Sequence, residues 1–230
     1  MSLPEVLEHD VLKCSPLFEG DFPAEAHKSE LMKELPQTEL VFNRDSPEPT
    51  AVLVDFMSKV RRLPLREFQN MGEVVNAVYL SSLNVCRAVE SLHMIYDSYD
   101  DENSLKTLER QRRSKGEDGV PIHNMSAQTR TPKQPDAFWQ CINNKVQTQQ
   151  ISKELVSQRN QVTSSVIVNE ELVPAMMGIT EIPELNNLIE EADGKLPIHV
   201  EYAIRTQKFR RVIVLSNDTD SVMYLLRHTP

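Results

Sequence analysis

Two aspartates, Asp218 and Asp220, stand just after the apolar run Val212–Leu215. A run of this kind is typical of a buried parallel strand, because such strands are covered on both faces. In an open α/β sheet, binding and catalytic groups gather at the carboxyl ends of the strands. Two carboxylates at this spacing repel each other, and a divalent cation between them would relieve the repulsion. The pattern therefore points to a metal site at a strand end.

Three further acidic groups stand directly after or shortly before other predicted strands. They are Asp55, Asp97, and the group formed by Glu190, Glu191 and Asp193. Since the carboxyl ends of parallel strands lie on one edge of a sheet, we expect all four groups to converge. One or two Mg²⁺ or Mn²⁺ ions would offset the repulsion between them. Two ions about 4 Å apart could activate a water and stabilise the leaving oxygen of a phosphodiester.

Each acid also has an ordinary structural interpretation. The aspartate pair could cap a helix that begins at Ser221. The group at Glu190 could favour the positive end of a helix dipole. Asp55 and Asp97 could simply form turns. Any one of these roles is common, whereas four acidic groups at one sheet edge favour a shared site.

Strand and helix patterns alternate from Ala51 onward and would place these acids. The predicted elements, in chain order, are a strand at Ala51–Asp55, a helix from about Met71 to Glu90, a strand at Leu92–Asp97, a helix from Pro135 to about Gln158, a strand at Ser164–Val168, a helix at Leu196–Thr206 and the final strand. We expect Pro197 to kink the last helix or to delay its start. Strand, helix and strand at this spacing form βαβ units. The predicted fold class is therefore α/β, with a mostly parallel central sheet flanked by helices in three layers.

Composition sets broad limits on the function. The chain has 230 residues, of which 40% are hydrophobic and 26% charged, as in an ordinary globular protein. We expect an intracellular protein without a membrane partner, because there is neither a signal-peptide pattern nor an apolar run of bilayer length. The three cysteines are too far apart for a disulfide framework or a zinc site. The net charge of −9 argues against a surface coated for nucleic acid, so local basic clusters must decide.

Two regions depart from the α/β pattern. Residues 1–50 are acidic and repeatedly interrupted by proline, and we expect them to wrap the domain at 51–230 rather than to fold alone. Residues from about 100 to 133 are polar and are predicted to form an exposed insertion with a basic run. If this run is helical, Lys106, Arg110 and Arg113 share one face. Alternatives are a solvated basic helix and a nuclear-localisation signal.

The acidic motifs, taken in order, resemble the PIN-like nuclease domain of the flap endonuclease family, the XPG-type structure-specific 5′ nucleases. The matching segments are Val52–Ser58, Ile95–Tyr99, Glu191–Asp193 and Ser216–Asp220. Ser98 stands where the family has glycine, and Asp193 stands where it has a second glutamate. The family's further metal-site aspartate and its helix-hairpin-helix element would lie beyond Pro230, so we expect the domain to be truncated at its C-terminus.

The resemblance implies a metal-dependent nuclease, a hydrolase of phosphodiesters in nucleic acid, with DNA rather than RNA as partner. It assigns Mg²⁺ or Mn²⁺ as cofactor. The implied metal ligands are Asp55, Asp97, Glu191, Asp193, Asp218 and Asp220. The basic insertion would correspond to the family's arch, whose lysine and arginine contact the phosphate. Lys106 and Arg113 are separated in sequence as the family's lysine and arginine are. The resemblance therefore assigns these catalytic roles to them.

Two other functions stay open. One is a catalytically inactive PIN-like module that binds nucleic acid or a protein partner. The other is a small-molecule phosphohydrolase or a nucleotide-binding domain, which the lack of a glycine-rich phosphate loop disfavours. Binding without turnover would distinguish the inactive module from the nuclease.

Overall fold

The computed structural model describes residues 18–19, 22–23, 43–99, 119–158, 165–169, 171–173, 180–187 and 189–228. The chain forms two compact units, Met1–Val41 and Phe42–Pro230. In the first unit, strands β1 (Phe18–Glu19) and β2 (Phe22–Pro23) pair antiparallel. The domain division proposed from the sequence, at about residue 50, stays a prediction. No helix among the described residues is long and apolar enough to cross a membrane.

The second unit is built on a six-stranded sheet. Its strands are β3 (Thr50–Asp55), β4 (Val89–Ile95), β5 (Ser165–Val168), β6 (Glu171–Val173), β7 (Thr180–Glu181) and β8 (Arg211–Leu215). They lie in the order β7-β6-β5-β4-β3-β8. β8, β3, β4 and β5 are mutually parallel, and β6 and β7 extend the sheet antiparallel. The predicted α/β class with a mostly parallel sheet is confirmed, whereas the PIN-like assignment stays a prediction.

Helices cover this sheet. They are α1 (Phe56–Val60), α2 (Met71–Leu83), α3 (Pro135–Gln140), α4 (Ile142–Ser157), α5 (Ala192–Arg205) and α6 (Thr219–His228). The fully buried strand β3 divides its side chains between two apolar clusters. Val52 and Val54 pack with residues of α1 to α4, and Ala51 and Leu53 pack with residues of α5. Helices therefore lie on both faces, which gives the three layers expected.

The long helix predicted from Pro135 to Gln158 is wrong, because it breaks at Cys141. Cys141 has an extended backbone, and the buried side chain of Asn144 donates to the carbonyl of Phe138 at 3.0 Å. A continuous helix would use that carbonyl for its own ladder. The same amide group holds the preceding loop, since it accepts from the Ile122 amide at 2.8 Å. The break changes the phase of the helix, and Val146, which continues the four-residue spacing of Phe138 and Ile142, is 41% exposed.

Two other helix boundaries differ from the prediction. α2 ends at Leu83 instead of Glu90, because Val89 is already paired with Thr50 in the sheet. α5 begins at Ala192 instead of Leu196, so Pro197 lies inside the helix and does not delay its start. Proline has no N–H, and the carbonyl of Asp193 consequently receives no bond from the residue four positions later.

The basic run assigned to the insertion, including Lys106 and Arg113, lies outside the described residues.

A buried histidine pair joins the central strand β4 to α5. The Nδ1 atoms of His93 and His199 are 3.1 Å apart, and His93 Nε2 lies 2.9 Å from Gln207 Oε1. Since the glutamine oxygen only accepts, His93 Nε2 donates and its Nδ1 accepts from His199. His199 Nε2 then carries a bare lone pair, in agreement with its lack of a hydrogen-bond partner among the residues that the structure describes. Burial lowers the pKa of His93 to about 4, so the pair is neutral at pH 7.

Candidate metal site in an acidic cleft

The predicted acids meet at the carboxyl edge of the sheet. Five of them line one cleft of about 650 Å³: Asp55, Asp97, Glu191, Asp193 and Asp218. The sixth, Asp220, joins Asp193 and Asp218 in a group in which one carboxylate oxygen from each residue lies within 4.8 Å of the other two. The structure thus brings together the six acids that were predicted as metal ligands, whereas Glu190 is not part of the cleft lining.

Asp55 ends β3 and begins α1. Its Oδ1 accepts from the Ser58 amide at 2.9 Å, which caps the helix, and its Oδ2 accepts from the Ser216 hydroxyl at 3.3 Å. Burial raises the pKa of this carboxyl from 3.8 to about 6, and the charges of Asp97 and Asp193 add to the rise. The bond from Ser58 opposes it. Asp55 is therefore a buried carboxylate that is held in place at the strand end and whose ionised form is disfavoured by burial and by the neighbouring acids.

Asp97 fixes the start of α5. Its Oδ1 accepts from the Ala192 amide at 2.9 Å, and its Oδ2 accepts from the Tyr99 hydroxyl at 2.9 Å. Glu191, the residue before the helix, makes no capping bond with its own side chain. An acid two residues beyond the end of β4 therefore satisfies the first helical N–H. This contact places Asp193, one residue further on, beside the strand ends.

Lys195 strengthens this junction from the second turn of α5. Its buried Nζ donates to the Tyr96 carbonyl at 3.0 Å and to the Ser98 hydroxyl at 2.9 Å, on either side of Asp97. Ser98 thus has a structural role as the acceptor of a bond from Lys195. The turn that carries Asp97 is held to the helix that carries Asp193.

Asp193 carries the second perturbed carboxyl. The side chain is only 9% exposed, and its Oδ1 accepts from the Gly194 amide at 2.7 Å. Burial raises its pKa to about 6, and the charges of Glu191, Asp218 and Asp220 raise it further. A carboxyl that resists ionisation because of burial and like charges is stabilised when a cation binds beside it.

The loop after β8 supplies the remaining acids. Asp218 Oδ1 accepts from the Asp220 amide at 3.0 Å, so Asp218 caps α6, which begins at Thr219 rather than at Ser221. The Ser216 hydroxyl links this loop to the site, since it bonds Asp55 and lies 2.8 Å from the Ser221 hydroxyl. The Asn217 amide donates to the Ser58 hydroxyl at 3.0 Å. These bonds hold the loop against α1.

The donor set fits a hard divalent cation. Carboxylate oxygens are the ligands that Mg²⁺ and Mn²⁺ prefer, and three of them close enough to share one ion come from Asp193, Asp218 and Asp220. Asp218 is exposed and Asp220 half-buried, so the group is open to solvent on one side. Burial, followed by the neighbouring acids, raises the pKa values of Asp55 and Asp193, so a cation bound beside these carboxyls would stabilise their ionised forms.

The sequence reasoning missed several residues that line the cleft. Besides the acids, the lining includes Ser58, Arg61, Tyr99, Lys145 and Asn217. Arg61 lies six residues after Asp55 and could have been noticed for that reason. Lys145 lies on α4, far from every acid in sequence, and no local pattern indicates its place.

Comparisons of the chain with protein-family models, with curated proteins and with solved structures give no match. The likeness to the flap endonuclease family therefore stays a prediction from the four motifs. The fold and the acidic cleft are the observations from which a function is argued.

Proposed function

We propose that the chain is a metal-dependent nuclease that hydrolyses phosphodiester bonds in nucleic acid, with DNA rather than RNA as substrate and an intracellular, nuclear site of action. The observation that carries the proposal is the convergence of six carboxylates from four separate segments on one open cleft. A structural role explains any single one of them. It does not explain why two of the six are held with raised pKa values beside further acids.

In this proposal, Asp193, Asp218 and Asp220 hold a first Mg²⁺ or Mn²⁺, and Asp55, Asp97 and Glu191 complete the shell or hold a second ion. When bound, the cation supplies Lewis acidity and a water of lowered pKa. The chain positions the ligands in advance, because Asp55 is fixed by Ser58 and Asp97 by the start of α5. Such preorganisation reduces the cost of assembling the reactive geometry. Lys106 and Arg113 are proposed to engage the phosphate.

Cleavage of labelled single-stranded and branched DNA in Mn²⁺, compared with EDTA, tests the proposal. Asp218→Asn and Asp220→Asn should each reduce cleavage by about 100-fold or more, because one removed ligand weakens the ion as well as the chemistry. Asp45→Asn, on an exposed acid outside the cleft, is the matched control and should cleave like the wild type. Cleavage that survives EDTA, or that is equal in all the variants, would refute the proposal.

A second candidate, a PIN-like module that binds nucleic acid or a protein partner without turnover, has one observation in its favour. Both carboxylate oxygens of Asp97 accept hydrogen bonds, from Ala192 and Tyr99, and both oxygens of Asp55 do so as well. Asp218 also caps α6, so three of the six acids have structural roles. Nucleic-acid binding without any metal-dependent cleavage would establish this candidate in place of the first.

A further inference from the structure

The acidic cleft has walls of opposite charge. Glu191 and Asp193 belong to the start of α5, which packs on one face of the sheet. Arg61 follows α1 and Lys145 lies on α4, and both helices pack on the other face. All four side chains line the same cleft. An anionic ligand would therefore meet cations on one wall, and a metal held by acids on the other.

Of the two cations, Arg61 gives the stronger indication of a phosphate subsite. Its guanidinium is exposed and, within the part of the chain that the structure describes, makes no hydrogen bond or ion pair. The adjacent Arg62 differs, because its Nη1 donates to Asn217 Oδ1 at 2.8 Å and so holds the loop after β8. One arginine of the pair thus has a structural bond, and the other presents its donors to the cleft. A guanidinium matches phosphate oxygens with two parallel hydrogen bonds.

Arg61 and Lys145 lie on the side of the cleft formed by α1 and α4, and the acids of α5 lie on the other side of the same cleft of about 650 Å³. A cleft of this volume has room for two linked phosphates, one beside a cation held by the acids and one beside Arg61 and Lys145, as in a polynucleotide strand. Tyr99 also lines the cleft, with its hydroxyl anchored on Asp97 at 2.9 Å, and offers an aromatic surface to a base.

We propose that Arg61 and Lys145 bind the backbone of single-stranded nucleic acid beside the reacting phosphate, so that the strand crosses the cleft from the wall of α1 and α4 to the wall of α5. This inference rests on the proposed function for the role of the acids. It adds a phosphate subsite formed by residues outside the acidic motifs and the basic insertion.

The test is the affinity of the full chain for a fluorescent single-stranded DNA of about ten nucleotides, measured by anisotropy in Ca²⁺ and again in EDTA. Arg61→Ala and Lys145→Ala should each weaken binding by about tenfold, since each removes a charged contact to phosphate. Each should also lower the slope of log affinity against log salt by about 0.7. Arg61→Lys should recover part of the affinity, because lysine keeps the positive charge but cannot make the two parallel hydrogen bonds of a guanidinium.

Arg66→Ala and Lys153→Ala are the matched controls, because Arg66 is exposed near Arg61 and Lys153 lies two turns beyond Lys145 on α4, both outside the cleft lining. Equal affinities for cleft and control variants would overturn the inference. A mononucleotide that binds as tightly as the oligonucleotide would contradict the proposal that an extended strand crosses the cleft.

Mn²⁺ titration of the same variants separates the two proposals. If Mn²⁺ binds and neither Arg61→Ala nor Lys145→Ala changes the affinity for the oligonucleotide, the inference fails and the proposed function stands. If Mn²⁺ does not bind, the proposed function fails, and the effect of Arg61→Ala in EDTA decides the inference by itself.

Discussion

Replacing Asp55 by asparagine should stabilise the metal-free protein at neutral pH. The carboxyl is buried, and its pKa rises from 3.8 to about 6, chiefly through desolvation and then through the charges of Asp97 and Asp193. A rise of this size corresponds to a free-energy cost of about 3 kcal/mol for keeping the group ionised in the folded state. Asparagine keeps an oxygen that can accept from Ser58 and carries no charge. The expected gain in unfolding free energy is therefore about 2–3 kcal/mol near pH 7.5.

The gain should depend on pH in a defined sense. The folded carboxyl binds its proton more tightly than the unfolded one, so the stability that protonation contributes is complete below pH 3.8 and is lost as the pH rises through about 6. The advantage of Asp55→Asn should consequently shrink to near zero at about pH 4. His93 acts in the opposite sense, because its pKa is lowered to about 4 and its contribution is lost as the pH falls below 6.5. The histidine is common to both proteins and cancels in their difference.

Urea unfolding of wild type and variant, in EDTA and from about pH 4 to 8, measures this difference. The single tryptophan, Trp139, is 5% exposed and reports the loss of the core. Asp45→Asn, at an exposed position, should show no pH-dependent gain. A less stable Asp55→Asn at neutral pH, or a difference that stays constant with pH, would refute the electrostatic reasoning. In Mn²⁺ the wild type should instead be more stable than Asp55→Asn, because the bound ion stabilises the folded wild type and the variant lacks one of its proposed ligands.

Three further substitutions examine the scaffold. Leu53→Ala should lower the unfolding free energy by about 2–5 kcal/mol in urea titrations, since the side chain is fully buried in the central strand, whereas an unchanged midpoint would contradict that packing. Pro197→Ala should raise the melting temperature and increase the unfolding free energy by about 1–3 kcal/mol, because alanine offers an N–H to the Asp193 carbonyl. A lower melting temperature would show that the proline is required. His199→Gln retains a hydrogen-bond donor for His93 and removes a titrating group. Thermal melts between about pH 4.5 and 6.5 should therefore show a smaller loss of stability on acidification than in the wild type. An equal loss would show that other groups cause the acid sensitivity.

The parts of this fold that can be predicted from sequence are those that depend on local patterns. β3 and β8 are apolar runs followed by acids, and the rule that parallel strands end on one edge is enough to bring Asp55 and Asp218 together. The short antiparallel strands β6 and β7 give no such pattern and were not predicted. With three residues and two, they are too short for an alternation to be read.

The features that could not be predicted depend on partners distant in sequence. The start of α5 is set by the carboxylate of Asp97, 95 residues before Ala192. The break before α4 depends on the buried amide of Asn144, which bonds a loop more than 20 residues earlier. Lys145 lies on α4, so its place in the cleft depends on where this helix begins. Periodicity indicates that a helix exists, whereas these tertiary hydrogen bonds decide its first residue.

The position of β3 between β4 and β8 has a consequence for the order of events during synthesis. Ser216, just after β8, bonds Asp55 across 161 residues of chain, so β3 leaves the ribosome long before its second neighbour exists. During that interval, a strand of six buried residues has an unpaired edge, the condition under which nascent chains associate or need chaperones. The same late segment carries Asp218 and Asp220. Affinity for a divalent cation would thus arise only in molecules whose sheet is complete, and metal binding would report finished folding.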